Sequence, residues 1–335
     1  MHIDLPIIWA AIIGFGVFLY VMLDGFDLGI GLVFPLFNEE GDREVMLNTV
    51  APVWDGNETW MVLGGASLYA AFPVAYSVLL PATYLPIIAM LCGLIFRGVA
   101  FEIRAKARRT QHLWDLAFMM GSAVATFAQG VILGTLLQGI PIHNGQFAGG
   151  PFDWFTPFNL FTGLGLLVTY AALGCGWLLI KTDGDLRRRM GMLMRPLTVL
   201  LALVIGVVSI WTVVGQPAVA ARWFALPDLF FFLPVPVLVI AALIGIMISL
   251  RKNSDHAPFL LTLAILFLGY TGFIISIFPN IIPPSLDIWA ASSPHSSQLF
   301  TLIGAAIIIP IILAYNGMAY WVFRGKVRHG DEGYH

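Results

Sequence analysis

Trp54-Asp55-Gly56-Asn57-Glu58-Thr59-Trp60 sets two carboxylates inside an apolar stretch, and that placement decides how the whole chain is read. The sequence around it is 59% hydrophobic and only 11% charged, so an acid within it needs a reason. A charged side chain at the centre of a bilayer costs about 2.5–3.5 kcal/mol even on insertion scales, which makes intramembrane acids functional suspects. A second acidic pair, Asp24 and Asp27 in D-G-F-D-L-G-I-G, lies in the apolar stretch before it. In each pair the i, i+3 spacing sets both carboxylates on one side of a helix.

Apolar stretches long enough to span a bilayer recur at 7–34, 52–72, 78–101, 115–138, 157–180, 196–215, 229–250, 258–278 and 298–323. With a mean hydropathy of +0.87, the expectation is an all-α integral membrane protein, one polytopic domain over residues 1–335 with nine transmembrane helices. The start, M-H-I-D-L-P, lacks the basic region of a cleaved signal, so the first stretch is expected to remain as a span. Lys and Arg fix the orientation, because cytoplasmic loops collect them. Arg43; Arg97, Arg104, Lys106, Arg108 and Arg109; Lys181, Arg187, Arg188, Arg189 and Arg195; Arg251 and Lys252; and Arg324, Lys326 and Arg328 all fall on alternate connections, on adjoining span ends or in the tail. Only Arg222 falls on the other side, which places the N-terminus outside and the C-terminus in the cytoplasm. Pro52, Pro157, Pro196 and Pro258 are expected at helix starts, and Pro73, Pro141, Pro217 and Pro279 after helix ends. Gly25/Gly29 and Gly130/Gly134 are small-x-x-x-small pairs suited to close helix packing.

Span 1 runs inward, so Asp24 lies roughly 26 Å along it and Asp27 about a turn further. Asp55 and Glu58 open span 2 on the same side, and Arg97 and Glu102 close span 3 there. Packed together, these helices would bring Arg97 to as many as five acids, more than one guanidinium pairs with; such a surplus of titratable groups is the raw material of a proton path. The plainer alternative is that single acids cap helices or form structural ion pairs, as Asp55 after Pro52 would. Taken as a group, the acids favour function.

Other chemistry is absent from the sequence. No G-K-[ST] loop, dinucleotide fingerprint or basic aromatic stripe occurs, so neither a nucleotide nor a nucleic acid is expected as partner. Cys92 and Cys175 sit in apolar runs as packed thiols. His2, His112, His143, His256, His295, His329 and His335 fall in loops, at span edges or at the termini, whereas a haem or metal in a bundle is held by inward-facing ligands. No cofactor or metal is therefore expected to be ligated by this chain.

The segments D-G-F-D-L-G from Asp24, A-P-V-W-D-G-N-E-T-W from Ala51, F-R-G-V-A-F-E-I-R from Phe96, L-L-Q-G-I-P from Leu136, S-S-Q-L from Ser296 and P-I-I-L-A-Y from Pro310 together resemble subunit II of the bacterial cytochrome bd-type quinol oxidases. The likeness runs in order from about residue 10 to 325, and the short length and A-S-S-P-H-S-S-Q resemble the cyanide-insensitive branch. The resemblance implies two four-helix bundles plus one peripheral helix in the bacterial inner (cytoplasmic) membrane, paired with a haem-bearing subunit I. That partner holds haem b and haem d, or a b-type replacement, oxidises quinol and reduces oxygen to water. It also leaves room for small single-helix subunits, contacts with membrane lipid and a structural quinone. For the site it implies Asp55 on the proton route; from the chemistry of such a route Asp55 is expected as relay, Glu58, Asp24 and Asp27 as entry groups, and Arg97 with Glu102 as electrostatic partners. Gly98 departs from a Pro common after the arginine, and Glu58 is an amide in some members, so the role of Glu58 is carried over less firmly. A proton-coupled secondary transporter and a purely structural scaffold are the rival readings.

Overall fold

The computed structural model describes residues 4–107 and 109–330; His2, Arg108 and His335 lie outside the described residues. The long helices are α1 (Leu5–Val33), α3 (Trp54–Ala71), α4 (Pro73–Arg104), α5 (Gln111–Gln138), α6 (Pro157–Lys181), α7 (Gly184–Gly215), α10 (Pro234–Arg251), α11 (Ala257–Ile277) and α12 (His295–Val322). Three shorter ones join them: α2 (Glu40–Asn48) between α1 and α3, and α8 (Pro217–Phe224) and α9 (Asp228–Phe232) between α7 and α10. Among the described residues eight helical segments, all but α3 of the long set, are apolar and long enough to cross a membrane. The stretch expected at 52–72 is α3, whose 18 residues begin with Asp55, Asn57 and Glu58.

Local chemistry sets the helix ends. The Asp4 carboxylate accepts the Ile7 amide at 3.3 Å to cap α1, and the Thr156 hydroxyl accepts the Asn159 amide at 3.2 Å to cap α6 ahead of Pro157. Pro196 does not start a helix as expected. It lies inside α7, which begins at Gly184 and runs 32 residues, because its flanking residues have helical propensity enough to carry the turn through the proline. Pro81 and Pro86 likewise lie inside α4, and Thr83 (φ −128°, ψ 20°) takes up the kink between them. The connections at 139–156 and 278–294 each fold into a hairpin, β1 (Ile142–His143) with β2 (Gln146–Phe147) and β3 (Asn280–Ile282) with β4 (Leu286–Asp287). Asn144 and Gly145 at φ 51° and 74° make the tight turn of the first. The two meet where the Ile140 amide bonds the Pro283 carbonyl at 2.9 Å.

Helix α1 is the central element, touching α3, α5, α6, α11 and α12, while α4 lies along α5. Glycine permits the closest crossings. A methyl group on Gly29 would strike the Tyr170 backbone and one on Gly174 the Gly29 backbone, so α1 and α6 meet main chain to main chain. The same holds for Gly93 of α4, whose added carbon would lie 2.6 Å from the Gly121 carbonyl of α5, and Gly130 and Gly134 pack likewise on α6. In lipid, packing of this kind replaces the hydrophobic drive between helices. We expect Gly174→Leu to destabilise the protein by about 1–3 kcal/mol or more, read as a lower midpoint of heat-induced loss of the monodisperse protein in detergent. Gly304→Ala, where an added carbon meets nothing within 4 Å, should leave that midpoint unchanged.

Candidate functional site

The buried inner half of α1 carries Asp24 and Asp27, both fully shielded, one turn apart. Helix α3 brings Asn57 and Glu58 beside them and α4 brings Arg97, whose side chain is 0% exposed. The Arg97 Nη1 donates to Asp24 Oδ1 at 2.8 Å and to Glu58 Oε1 at 2.7 Å, and Nη2 stands 3.6 Å from Asp27 Oδ2. One guanidinium thus serves three carboxylates. Asp24 and Asp27 are sealed in, whereas Glu58 is 21% exposed.

Neutral groups complete the shell. Asn57 Nδ2 donates to Asp27 Oδ2 at 2.8 Å, while Asn57 Oδ1 accepts the Tyr320 hydroxyl at 2.8 Å, which ties α12 to α1 through the motif asparagine. Phe101 lies under the guanidinium at 5.7 Å and is stacked in turn on Trp54 at 5.2 Å. Position 98 faces that indole, since a carbon on Gly98 would sit 3.3 Å from Trp54. On the opposite side, the Tyr170 hydroxyl donates to Gln129 Oε1 at 2.9 Å, and Gln129 Nε2 donates to the Tyr20 hydroxyl at 2.8 Å. Tyr20 is one turn from Asp24 and within interaction range of its carboxylate. The donors therefore run from Tyr170 through Gln129 to Tyr20, one turn from Asp24, whose Oδ2 has no hydrogen-bond partner.

Three of the five expected acids gather at Arg97, and two do not. Asp55 is exposed on the outer side of α3, together with Thr59, Val62 and Tyr69. At about 100° per residue, Asp55 and Glu58 point some 60° apart; the buried face of α3 through Gly56, Asn57, Trp60, Gly64 and Ser67 takes Glu58 to its edge and leaves Asp55 outside. Glu102 is also exposed, because five residues turn it about 140° from Arg97 around α4. Tyr20, Tyr170, Tyr320 and Gln129 were not expected at the site. Their only signal was polarity within apolar runs, which a tyrosine at an interface shares.

The same end of the molecule is laced by ion pairs. Asp115 of α5 pairs with Arg43 at 2.8 Å and Arg104 at 2.5 Å, and Asp42 of α2 pairs with Arg189 at 3.0 Å. The segment after α12 is clamped where Lys326 meets Asp183 at 2.8 Å and Asp255 at 3.1 Å, and Arg187 also pairs with Asp255. The Lys326 ammonium holds the Asp183 carboxyl below the usual carboxylate range, so this clamp stays charged well into mild acid and weakens only as pH falls through that lowered value. No group of three or more His, Cys, Asp or Glu among the described residues is arranged to hold a metal.

Removing Arg97 would strand three carboxylates in a dry site. Arg97→Ala is expected to cost about 3–5 kcal/mol and to reduce the amount of assembled complex on a native gel at equal expression. Arg97→Lys should recover part of that amount, because the charge is kept but the two bonds from one planar nitrogen are not.

Residues 5–323 match the family described as cytochrome bd terminal oxidase subunit II. The chain is similar to cytochrome bd-I ubiquinol oxidase subunit 2 of Escherichia coli K12, 27% identical over 98% of this chain and 96% of that one. It is also similar to cytochrome bd ubiquinol oxidase subunit 2 of Bacillus subtilis, 30% identical over 98% and 97%. Among solved structures, a chain of the bd oxidase from Geobacillus thermodenitrificans superposes with a TM-score of 0.77 at 16% identity, over 96% of this chain and 99% of the other. That likeness carries the fold.

Proposed function

The chain belongs to the cytochrome bd terminal oxidase subunit II family, and from that membership we propose that it is the haem-free half of a quinol:oxygen oxidoreductase, supporting the haem-bearing subunit I and admitting protons from the cytoplasm. The observation that carries the proton role is Arg97 with three carboxylates at the end of the bundle that collects the basic residues. Reduction of oxygen to two waters takes four electrons, from two quinols, and four protons. If those protons enter from the inside while quinol releases its own outside, turnover charges the membrane.

This chain's residues do not fit a haem. Its described histidines stand at the first turns of α5 and α12, in β1, just before α11 and after α12, none of them facing the bundle interior. The oxidase family supplies haem through the partner, and no step of oxygen chemistry is assigned to this chain. What this chain offers is carboxylates at graded exposure. Asp55 is open, Glu58 is half-open and bonded to Arg97, and Asp27 and Asp24 are sealed behind it. A charged Asp55 on a face left to lipid would carry the cost of an intramembrane ion, which favours a protein or water-lined environment for that face in the complex. Asp55 is then the relay, Glu58 the group through which Arg97 feels its protonation, and Asp24 and Asp27 the fixed counter-charges.

The expected outcome for Asp55→Asn is quinol-dependent oxygen consumption reduced about tenfold or more per haem, with haem per complex unchanged. Glu58→Gln should show a similar split. A loss of activity only in proportion to haem would favour the scaffold reading, and robust ion transport by the isolated chain would favour a transporter.

With α3 as the ninth span, the N-terminus lies outside and the C-terminus in the cytoplasm. Cysteines placed at Ser254 and Asn144 test this. An impermeant thiol reagent added to intact cells should label position 144 and not 254, and inverted vesicles should reverse the pattern.

A further inference from the structure

Away from the acidic cluster, a cavity of about 120 Å³ opens between α7 and α10 at the basic end of the molecule. Arg187, Arg188 and Arg195 line it, with Met192, Leu250 and Asn253 completing the wall. The three arginines differ in how far they are engaged. Arg187 is committed to Asp255 and to the Asn253 carbonyl. Arg188 pairs with Asp185 at 2.5 Å, but both side chains are largely exposed, and such a pair holds its partners weakly. Arg195 is exposed and has no ion pair among the described residues. Asp255 and Asp185 pair with two of these arginines, and Arg251 and Lys252 at the exposed end of α10 add further positive charge.

The neighbouring surface is apolar. One and two turns beyond Arg195 on the same side of α7, Val199 and Leu203 are exposed, and Ile248 and Ile244 are exposed on α10. A cationic recess at the head of an apolar strip is complementary to an amphiphile with an anionic head. Guanidinium groups present planar forks that match phosphate oxygens, and basic recesses between helices on the cytoplasmic side recognise anionic lipid heads.

We propose that this cavity binds the phosphate of an anionic phospholipid of the cytoplasmic leaflet. Arg195 is its principal ligand, Arg188 swings from Asp185 to assist, and the acyl chains lie along Val199 and Leu203. The site is separate from the proton-handling cluster and does not depend on the proton role; its assignment to the cytoplasmic leaflet rests on the orientation proposed above.

The test uses the oxidase purified with its partner subunit. The complex is placed in nanodiscs of phosphatidylcholine containing a minor fraction of phosphatidylglycerol, and retained lipid is identified by native mass spectrometry. Phosphatidylglycerol should be retained in preference to phosphatidylcholine. Arg188→Gln combined with Arg195→Gln should lower its affinity about tenfold or more, two surface charges having been removed. Lys106→Gln, an exposed charge elsewhere on the same end, should not lower it. Haem per complex, measured in parallel, keeps the comparison to folded protein. Equal retention of the two lipids, undiminished retention in the double variant, or an equal loss in Lys106→Gln would overturn the proposal. Displacement of the lipid by inorganic phosphate would do so too, since it would make the recess a site for a free anion.

Discussion

A single buried cation organises the inner half of this bundle. Arg97 has no exposed surface and donates hydrogen bonds to Asp24 on α1 and Glu58 on α3, with Asp27 just beyond. Removing such charges from water costs several kcal/mol for each ion, and only close geometry with further hydrogen bonds recovers it. The neighbouring groups meet that demand: Asn57 bonds Asp27, Phe101 faces the guanidinium and the Tyr170–Gln129–Tyr20 series leads to Asp24. Through these contacts one ionic centre joins α1, α3, α4, α5, α6 and α12. Its tolerance for misplacement is small, because Arg97 Nε and Nη2 and one oxygen each of Asp24 and Asp27 remain without a hydrogen-bond partner.

Close helix packing makes the centre geometrically accessible. Gly121 of α5 lies against Gly93 and the Arg97 backbone, so α4 approaches closely just where its arginine must reach inward. Gly25 and Gly29 play the same part for α1 against Tyr170 and Gly174, next to Asp24 and Asp27. The motif D-G-F-D-L-G therefore combines two duties in one turn and a half of helix. Its acids point toward α3 and α4 while its glycines seat the opposite face on α6.

Much of this was legible in the sequence because bilayer physics is restrictive. Length and hydropathy marked the eight helical segments apolar and long enough to cross a membrane, and the clustering of basic residues marked the end at which Asp24, Asp27, Glu58 and Arg97 meet. Depth along a helix follows from counting residues, but direction around it follows from packing. That is why Asp55 and Glu102, though close in sequence to Glu58 and Arg97, face away from Arg97. The amphipathic α2 was hidden for a different reason: its run E-E-G-D-R-E reads as a polar loop until Asp42 and Arg43 find Arg189 and Asp115 on distant helices. Pro196 misled as a boundary because a proline marks a helix start only where the preceding residues do not already favour the helix. Tyr20, Gln129 and Tyr170 were out of reach, since their meeting depends on three helices crossing at one level.

The position of Asp55 bears on the proposed proton role. A carboxylate that exchanges protons rapidly needs water or a mobile partner, whereas one that tunes a buried site must be held still. These requirements conflict in a single residue. In the proposed role they are divided between two groups three positions apart, Asp55 outside and Glu58 held on Arg97, with the backbone of α3 fixing their separation. Under that proposal, proton arrival at the exposed acid would change the field at the fixed one without opening the dry interior. In the proposed role, transfer onward depends on what the partner places against Asp55, so the route is completed by assembly.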